Sequence, residues 1–375
     1  MINVLHITNT NFFEDSRIQK EIDVLTSIPN LHISIIGFDN HIKSSGFCSF
    51  NFDYYPLDLF FNKLPNLPKA FTFPFLMLEF FLVSFYQSFK IKPNVIHCHD
   101  TFSLPISWFI SLIFRCKLIY DAHELESNKN GQGLLFSKIT FLIEKLFWYR
   151  IDGFITVSNS ILNWYIKKFS YKKSCILYNS PHIGKSNLVY KEKYFHEKYD
   201  LKNSDIVFCY LGLFSFGRGI DVLLEFFSKT NFNFHIVFIG NGQLDDKILE
   251  FSKKYPNIHL HPAVRHDKVV NLVKSADWGL CLLENVSLSD FYSLPNKVFE
   301  YAFSNIKIIS SNFPEIEFFV KEYNLGYTCN PDINSFSRIM GFIKNNNLQL
   351  EKKSIYDYSW DYQEIKLKEF YLNYL

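Results

Sequence analysis

The chain has 375 residues, 48% hydrophobic and 18% aromatic, which excludes a disordered protein and gives length for two domains, each with its own core. A formal net charge of +2 is too small to argue for nucleic acid or another polyanion as partner. Seven cysteines (48, 98, 116, 175, 209, 281 and 329) show no C-x-x-C spacing and read as buried reduced thiols of a cytoplasmic protein, without a disulfide framework or zinc site.

Residues 2–8 read as an apolar strand that runs into the polar turn Thr8-Asn9-Thr10-Asn11. No basic segment followed by an apolar one opens the chain, so no signal peptide is expected. The turn lacks glycine, so it is not a dinucleotide fingerprint. Asp15 or Ser16 would cap a helix carrying Ile18, Ile22 and Leu25 at helical spacing. Arg17 reads either as a solvated first-turn charge or as a cleft residue. Residues 32–38 form a second strand, and 39–69 are expected to be irregular, with Pro56, Pro65 and Pro68. Residues 70–89 are apolar almost all round, interrupted by Pro74 and Glu79. A buried helix is the first reading and a face dipping into a membrane surface the second. No run of about 20 residues is free of charge, so no spanning helix is expected.

Strand 94–98 delivers His97-Cys98-His99-Asp100, and strand 117–120 delivers Asp121-Ala122-His123-Glu124. Ligands of open parallel sheets collect at such strand ends, so the two clusters suggest one cleft. Alternation along the strand gives His97 a core role. His-x-His-Asp is a weak zinc signal, and no metal site is expected. Residues 134–150 read as an amphipathic helix with Lys138, Lys145 and Arg150 on its polar side. Strand 153–157 precedes a helix capped by Ser158-Asn159-Ser160, which runs into Lys167, Lys168, Lys172 and Lys173 beside Trp164 and Tyr165. That cluster is a solvated face by default and an anionic-membrane patch as the sharper idea. A strand at 175–178 closes this half. Residues 182–204 read as an inter-domain connection.

The alternation then restarts. Strand 205–211 leads into a loop with Gly212, Gly217, Arg218 and Gly219, whose glycines would let backbone N–H groups approach a phosphate and whose arginine would add charge-assisted bonds. Strand 235–239 ends in Gly240-Asn241-Gly242, and Arg265 follows strand 258–261. Strand 279–283 precedes a polar loop and a helix opening at Pro295, with Lys297 in its first turn and Glu300 on the same face. A helix N-terminus with a lysine suits phosphate, and a carboxylate one turn on suits the hydroxyls of a ribose. Strand 306–310 is the last clear one. Residues 360–375 are amphipathic and aromatic and could pack back on the first half. Two doubly wound parallel sheets with a cleft between them follow from this pattern.

Taken together, Asp15-Ser16-Arg17 with Lys20-Glu21, His97-Cys98-His99-Asp100, Tyr120-Asp121-Ala122-His123-Glu124, Val157-Ser158, Gly217-Arg218-Gly219-Ile220, Gly240-Asn241-Gly242 and Leu294-Pro295-Asn296-Lys297-Val298-Phe299-Glu300-Tyr301 resemble family 4 of the retaining glycosyltransferases, of the GT-B fold. The resemblance implies two Rossmann-like domains facing a cleft. They would be an acceptor-binding domain over 1–181, a connection over 182–204, a nucleotide-sugar-binding domain over 205–355, and a last helix over 356–375 returning to the first domain. It implies transfer of a sugar from a nucleotide-diphosphate sugar to a glycan or undecaprenyl-linked glycan acceptor. The Phe-rich 70–89 stretch and the aromatic-basic cluster at 164–173 separately suggest contact with the cytoplasmic face of a membrane. The resemblance implies no cofactor and no metal. His99, Asp100, Arg218 and Lys297 would be catalytic. Gly212, Gly217, Gly240, Asn241, Gly242, Arg265, Tyr292, Pro295, Asn296 and Glu300 would complete the donor site, and Asn11, Arg17, His123 and Glu124 would face the acceptor. Two departures stand out. Tyr292 occupies the position where the family often has the first glutamate of an E-x7-E pair, and Leu213 follows Gly212 where the family often has arginine. They leave a non-transferring nucleotide-sugar-binding relative, or a sugar-nucleotide epimerase, as alternatives.

Overall fold

The computed structural model describes residues 1–38, 51–57, 59–60, 69–182, 193–230, 233–346 and 351–374. The chain divides into two units, Met1–Leu177 with Glu364–Leu375, and Tyr178–Gln363.

The first unit contains β1 (Ile2–Asn11), α1 (Ser16–Thr26), β2 (Leu31–Phe38), β3 (Asp53–Leu57), α2 (Lys69–Ile91), β4 (Val95–His99), α3 (Asp100–Ile113), β5 (Lys117–Ala122), α4 (Leu134–Phe147), β6 (Gly153–Thr156), α5 (Asn159–Lys168) and β7 (Lys173–Ile176). Its seven strands form one parallel sheet in the order β3-β2-β1-β4-β5-β6-β7. The inner strands are buried on both sides, which is why they read as unbroken apolar runs. Asp15 caps α1, its side chain accepting from the N–H groups of Arg17 and Ile18.

The second unit contains α6 (Tyr194–Tyr199), β8 (Ile206–Leu213), α7 (Ile220–Lys229), β9 (Phe234–Asn241), α8 (Asp245–Lys254), β10 (Ile258–His261), α9 (His266–Val273), β11 (Trp278–Cys281), α10 (Leu288–Tyr292), α11 (Asn296–Phe303), β12 (Lys307–Ser311), α12 (Pro314–Glu322), β13 (Gly326–Cys329) and α13 (Ile333–Asn345). Its six strands are parallel, in the order β10-β9-β8-β11-β12-β13. The last helix, α14 (Trp360–Leu372), carries Glu364 and the residues after it into the first unit. There the Tyr371 hydroxyl meets His97 Nδ1 at 2.6 Å, and Lys366 donates to the Ile176 carbonyl.

Several sequence expectations need correction. The stretch read as irregular contains β3, with Pro56 inside it. β3 is an edge strand, where a missing N–H is tolerated; Pro65 and Pro68 lie outside the described residues, as does Cys48. The six described cysteines are buried and free. The 70–89 helix is not buried: only 17% of its most apolar window lies inside the structure. By length and composition Thr72–Ile91 is apolar enough to cross a membrane, contrary to the charge-based expectation. On α4 Lys138 and Lys145 are exposed as expected, but the buried residues are the polar Thr140 and Glu144, so most of its apolar side chains lie outward with the lysines. The strand expected over 306–310 is β12, and it is not the last of the sheet: β13 follows, short and half exposed. Gly326 opens β13 because a Cβ there would lie 1.9 Å from the Ile308 carbonyl oxygen.

Tyr301 ties α11 to the second sheet. Its ring lies flat on Gly279 of β11, where a Cβ would fall 2.3 Å from the ring. Its hydroxyl accepts from Leu211 N–H at 2.9 Å and reaches the Leu280 carbonyl at 3.2 Å. We expect Gly279→Ala to lower the unfolding free energy by about 1–3 kcal/mol through overpacking, measured by urea denaturation, while an exposed substitution such as Lys253→Ala leaves it within about 0.5 kcal/mol.

Candidate functional site

In the first unit, the C-terminal ends of β1, β4 and β5 bring charged side chains into the interior. Arg17 is held against Asp121, with Nη2 at 2.8 Å from Oδ1 and Nε at 3.3 Å from Oδ2. Its Nη1 donates to the Leu177 carbonyl at 2.8 Å, and its Nε lies 3.0 Å from Glu21 Oε1. All three side chains are buried. Burial alone would raise the Asp121 pKa, but Arg17 and His123 hold it well below the carboxylate range. Burial, with Asp121 nearby, pushes Glu21 well above it, against the pull of Arg17.

Four histidines gather around this pair. His6 Nδ1 lies 3.0 Å from His99 Nε2, and His99 Nδ1 lies 3.2 Å from His123 Nε2. Burial would depress His123, but Asp100 and Asp121 raise it to about 10, so at neutral pH it is an imidazolium. A protonated His123 donates to His99, which then carries its proton on Nε2 and donates to His6. Burial and the neighbouring rings lower His6 well below its ordinary value, so the chain ends neutral. His97 is lowered to about 3 by burial and by His99. It accepts from Tyr371, so its Nε2–H faces Asp121 and Glu21 at 3.7 and 3.8 Å.

This geometry revises several expected roles. Arg17 is neither solvated nor a cleft residue; it is buried in its pair with Asp121. His99 is fully buried with both ring nitrogens engaged, so it orients His123 instead of meeting a ligand itself. Asn11 is buried, its Oδ1 accepting from Phe13 N–H. The members of the cluster that reach the surface are His123 and Asp100, at 15% and 14% side-chain exposure, with Glu124 exposed beside them. Asp100 has a left-handed φ of 59°, a conformation that costs a non-glycine residue energy. Its Oδ1 lies 3.8 Å from His123 Nδ1. Sequence reasoning gave no role to His6, to which only the alternation of β1 could have pointed; Glu21 entered only as part of the resemblance, with no role of its own.

Two overlapping groups, His6-His97-His99 and Glu21-His97-His99-Asp121, bring ligand atoms within 4.8 Å of one another, close enough for a metal ion. The donor set does not suit a dication. Arg17 already occupies both carboxylates, and His123 places a second cation on Asp121.

In the second unit, the ends of β8 and β9 carry the glycine loops, and β11 is the other neighbour of β8 in the sheet. Gly212 and Gly240 are register partners, and a Cβ on Gly240 would lie 2.0 Å from the Gly212 carbonyl oxygen. Gly212 faces the Lys297 ammonium, whose Nζ sits 3.9 Å above the Tyr210 ring. Gly219 has φ 73° and sits so close to Leu282 that a Cβ would lie 2.2 Å from its carbonyl oxygen. Its N–H donates to Glu284 at 3.2 Å, and Glu284 N–H donates to the Gly217 carbonyl at 2.9 Å. Arg218 Nη1 lies 3.0 Å from Asp290 Oδ1. Asp290 belongs to α10, a short helix where a loop was expected; Ser287 caps it by accepting from Asp290 N–H. Ser287-x-x-Asp290 is the capping-box pattern that could have announced it.

Pro295 is the cap of α11, one residue before its first turn, so Asn296 and Lys297 lead the helix. Glu300 is buried one turn further on, on the Lys297 face. Lys297 and Arg218 are both close enough to the buried Cys281 thiol to bias its ionisation, which places two cations about one strand end. A cavity of about 290 Å³ opens beside Gly240, walled by Leu260, His261 and Pro262. Arg265 is exposed at the start of α9, and Tyr292 is half-buried next to Phe291. Glycines, two cations and a carboxylate at parallel-strand ends suit a nucleoside diphosphate.

A pH prediction follows from His123. Its pKa is raised on folding, so the stability it contributes is present in full below about pH 6.5 and is lost as pH rises toward about 10. We expect the wild-type melting temperature to fall across that window and His123→Gln to remove a measurable part of the fall in a scan of thermal unfolding against pH.

Residues 53–180 match Glycosyltransferase Family 4. No curated protein sequence matches the chain. Among solved structures, sucrose-phosphate synthase from Thermosynechococcus elongatus is similar with a TM-score of 0.79 at 12% identity, over 100% of this chain and 99% of that one. Anabaena HepE in complex with UDP-glucose is similar with a TM-score of 0.71 at 11% identity, over 100% of both chains. WaaG, a glycosyltransferase involved in lipopolysaccharide biosynthesis, is similar with a TM-score of 0.63 at 11% identity, over 99% of this chain and 94% of that one. At these identities the likeness is one of fold, and the fold is GT-B.

Proposed function

Because the chain is a GT-B-fold protein whose residues 53–180 match Glycosyltransferase Family 4, we propose that it transfers a sugar from a nucleotide-diphosphate sugar to a glycan or lipid-linked glycan, with retention, in the synthesis of a surface polysaccharide. What supports the proposal is that Gly212 faces Lys297 at the end of β8, that Arg218 follows in the loop with Gly217 and Gly219, and that Glu300 is buried on the helix that Lys297 opens. In this reading Gly212, Gly217, Gly240, Asn241 and Gly242 admit the diphosphate, while Arg218 and Lys297 take up its developing charge. Glu300 accepts from the ribose hydroxyls, and the cavity at Leu260 and Pro262 seats the base. Arg265, Tyr292, Pro295 and Asn296 shape the rest of the donor site. The two cations make a metal unnecessary for leaving-group stabilisation.

On the acceptor side, the proposal uses His123 as a fixed cation with Asp100 and Glu124 beside it. The acceptor hydroxyl attacks the face the diphosphate leaves, and a diphosphate oxygen accepts its proton, so no protein nucleophile is invoked. The protein then works at the cytoplasmic face of the membrane that carries the acceptor.

One observation favours a second reading. Asp290 already engages Arg218, and Tyr292 stands where a donor-sugar glutamate is common in the family. A nucleotide-sugar-binding partner subunit would tolerate both, and an epimerase of this fold would consume the donor without acceptor.

Thermal unfolding with a panel of nucleoside diphosphates and nucleotide-sugars tests the donor site; UDP comes first because HepE is similar and binds it. A ligand at a hundredfold excess over its Kd adds about 2.7 kcal/mol. We expect one diphosphate to raise the melting temperature and Glu300→Ala to abolish the shift. Arg218→Ala should lower transfer by about a hundredfold or more, with the fold retained by circular dichroism. Near-normal turnover in both variants would remove the site assignment, and donor binding without turnover on any acceptor would favour the second reading.

A further inference from the structure

Helices α2, α3 and α4 lie side by side on one face of the first sheet. The strands β3, β4, β5 and β6 advance across it in one direction, and right-handed crossovers keep their connections on one side. α3 is the middle helix. Its Phe109 packs against Phe81 and Phe85 of α2 at 5.1 and 5.7 Å, and its Trp108 against Phe147 of α4 at 4.9 Å.

The outer surface of this layer is the reverse of a soluble one. α4 turns Glu144 inward, where the hydroxyls of Tyr120, Tyr165 and Thr101 donate to its Oε1 at 2.9, 2.5 and 3.2 Å. Outward it turns Leu135, Ile139, Leu142 and Leu146, a helical stripe 44–75% exposed. α2 does the same with Leu78, Leu82, Tyr86 and Phe89, 53–60% exposed. A patch of this extent on a monomer marks an interaction surface. The inner side of α2 carries Phe80, Ser84 and Ser88, all fully buried, so the helix is fixed in its layer and its outer side is the one offered.

The charges beside the stripes select the partner. Lys138 and Lys145 are exposed on α4 among its leucines, and Lys90 lies 4.5 Å from the Tyr86 ring at the end of α2. From residue 134 to 173 there are seven lysines and arginines against two acids. Of the acids, Glu144 is buried and Asp152 is paired with Arg150. Apolar side chains bordered by lysines match the acyl boundary and the anionic headgroups of a bilayer.

We propose that the outer face of α2 and α4 docks the first unit onto an anionic lipid bilayer, with the α4 stripe in the headgroup–acyl boundary and Lys138 and Lys145 on the headgroups. This surface differs from the 70–89 and 164–173 segments expected from sequence: it adds α4, expected only as an amphipathic helix, beside α2. It does not depend on the reaction.

The test is cosedimentation of the full chain with vesicles of phosphatidylcholine, with and without 30% phosphatidylglycerol, at about 20 and 500 mM salt. We expect binding to the anionic vesicles that weakens with salt, a drop of roughly thirtyfold in Lys138→Ala/Lys145→Ala, and loss in Ile139→Asp/Leu142→Asp. The far-ultraviolet circular dichroism of each variant and its melting temperature should match wild type, since these side chains point away from the core. Wild-type protein that ignores anionic vesicles overturns the proposal, as does binding unchanged in the Ile139/Leu142 variant. A wild-type dimer by light scattering that this variant converts to monomer would make the face a self-interface instead. Resistance of the bound protein to alkaline carbonate would mean a spanning helix and would also overturn surface docking.

Discussion

The buried ion pair between Arg17 and Asp121 is the constraint on which the first unit depends. It joins the start of α1 to the end of β5, and through Nη1 it also holds the Leu177 carbonyl just past β7. Removing one partner of such a pair leaves an uncompensated charge in the interior, at about 3–5 kcal/mol. An ionised Asp121 in turn sustains the charge on His123 and orients the His97 ring. Three strand ends are therefore set by one guanidinium, and the surface-reaching side chains His123 and Asp100 inherit their positions from it.

The second unit solves the same problem with an aromatic side chain. Tyr301 lies on Gly279 and spends its hydroxyl on groups of β8 and β11, so α11 has one seating on the sheet. Lys297 and Glu300 lie in the first two turns after the helix cap and move only if that seating moves. Parallel sheets present their carboxyl ends to a ligand; what varies is how each chain fixes the helices that follow.

Much of this was legible in the sequence, for physical reasons. Buried parallel strands are unbroken apolar runs, so β1, β4, β8 and β9 could be placed closely. Lys297 and Glu300 could be placed near the start of one helix because Pro295 marks where it begins, and Arg218 in a turn because Gly217 and Gly219 flank it. The losses have reasons too. Arg17 was left open between a solvated charge and a cleft residue because its partner is 104 residues away. Periodicity finds a stripe on α4 but not which side faces in; a fully buried glutamate under tyrosine hydroxyls decides that only in three dimensions. Asp290 was invisible as the companion of Arg218, since a loop of polar residues gives no direction to any one of them. β3 and β13 escaped because short strands that are partly solvated lack the run of apolar residues that marks a central one.

The return of α14 to the first unit bears on how the chain is made. Tyr371, which bonds the His97 ring, leaves the ribosome only after the whole span Tyr178–Gln363 has been synthesised. At about 5–20 residues per second that delay is roughly 10–40 s. During it, the first unit lacks its closing helix and His97 lacks its donor, while the apolar stripes of α2 and α4 are already displayed. The nascent chain thus displays that apolar surface before its interior is complete.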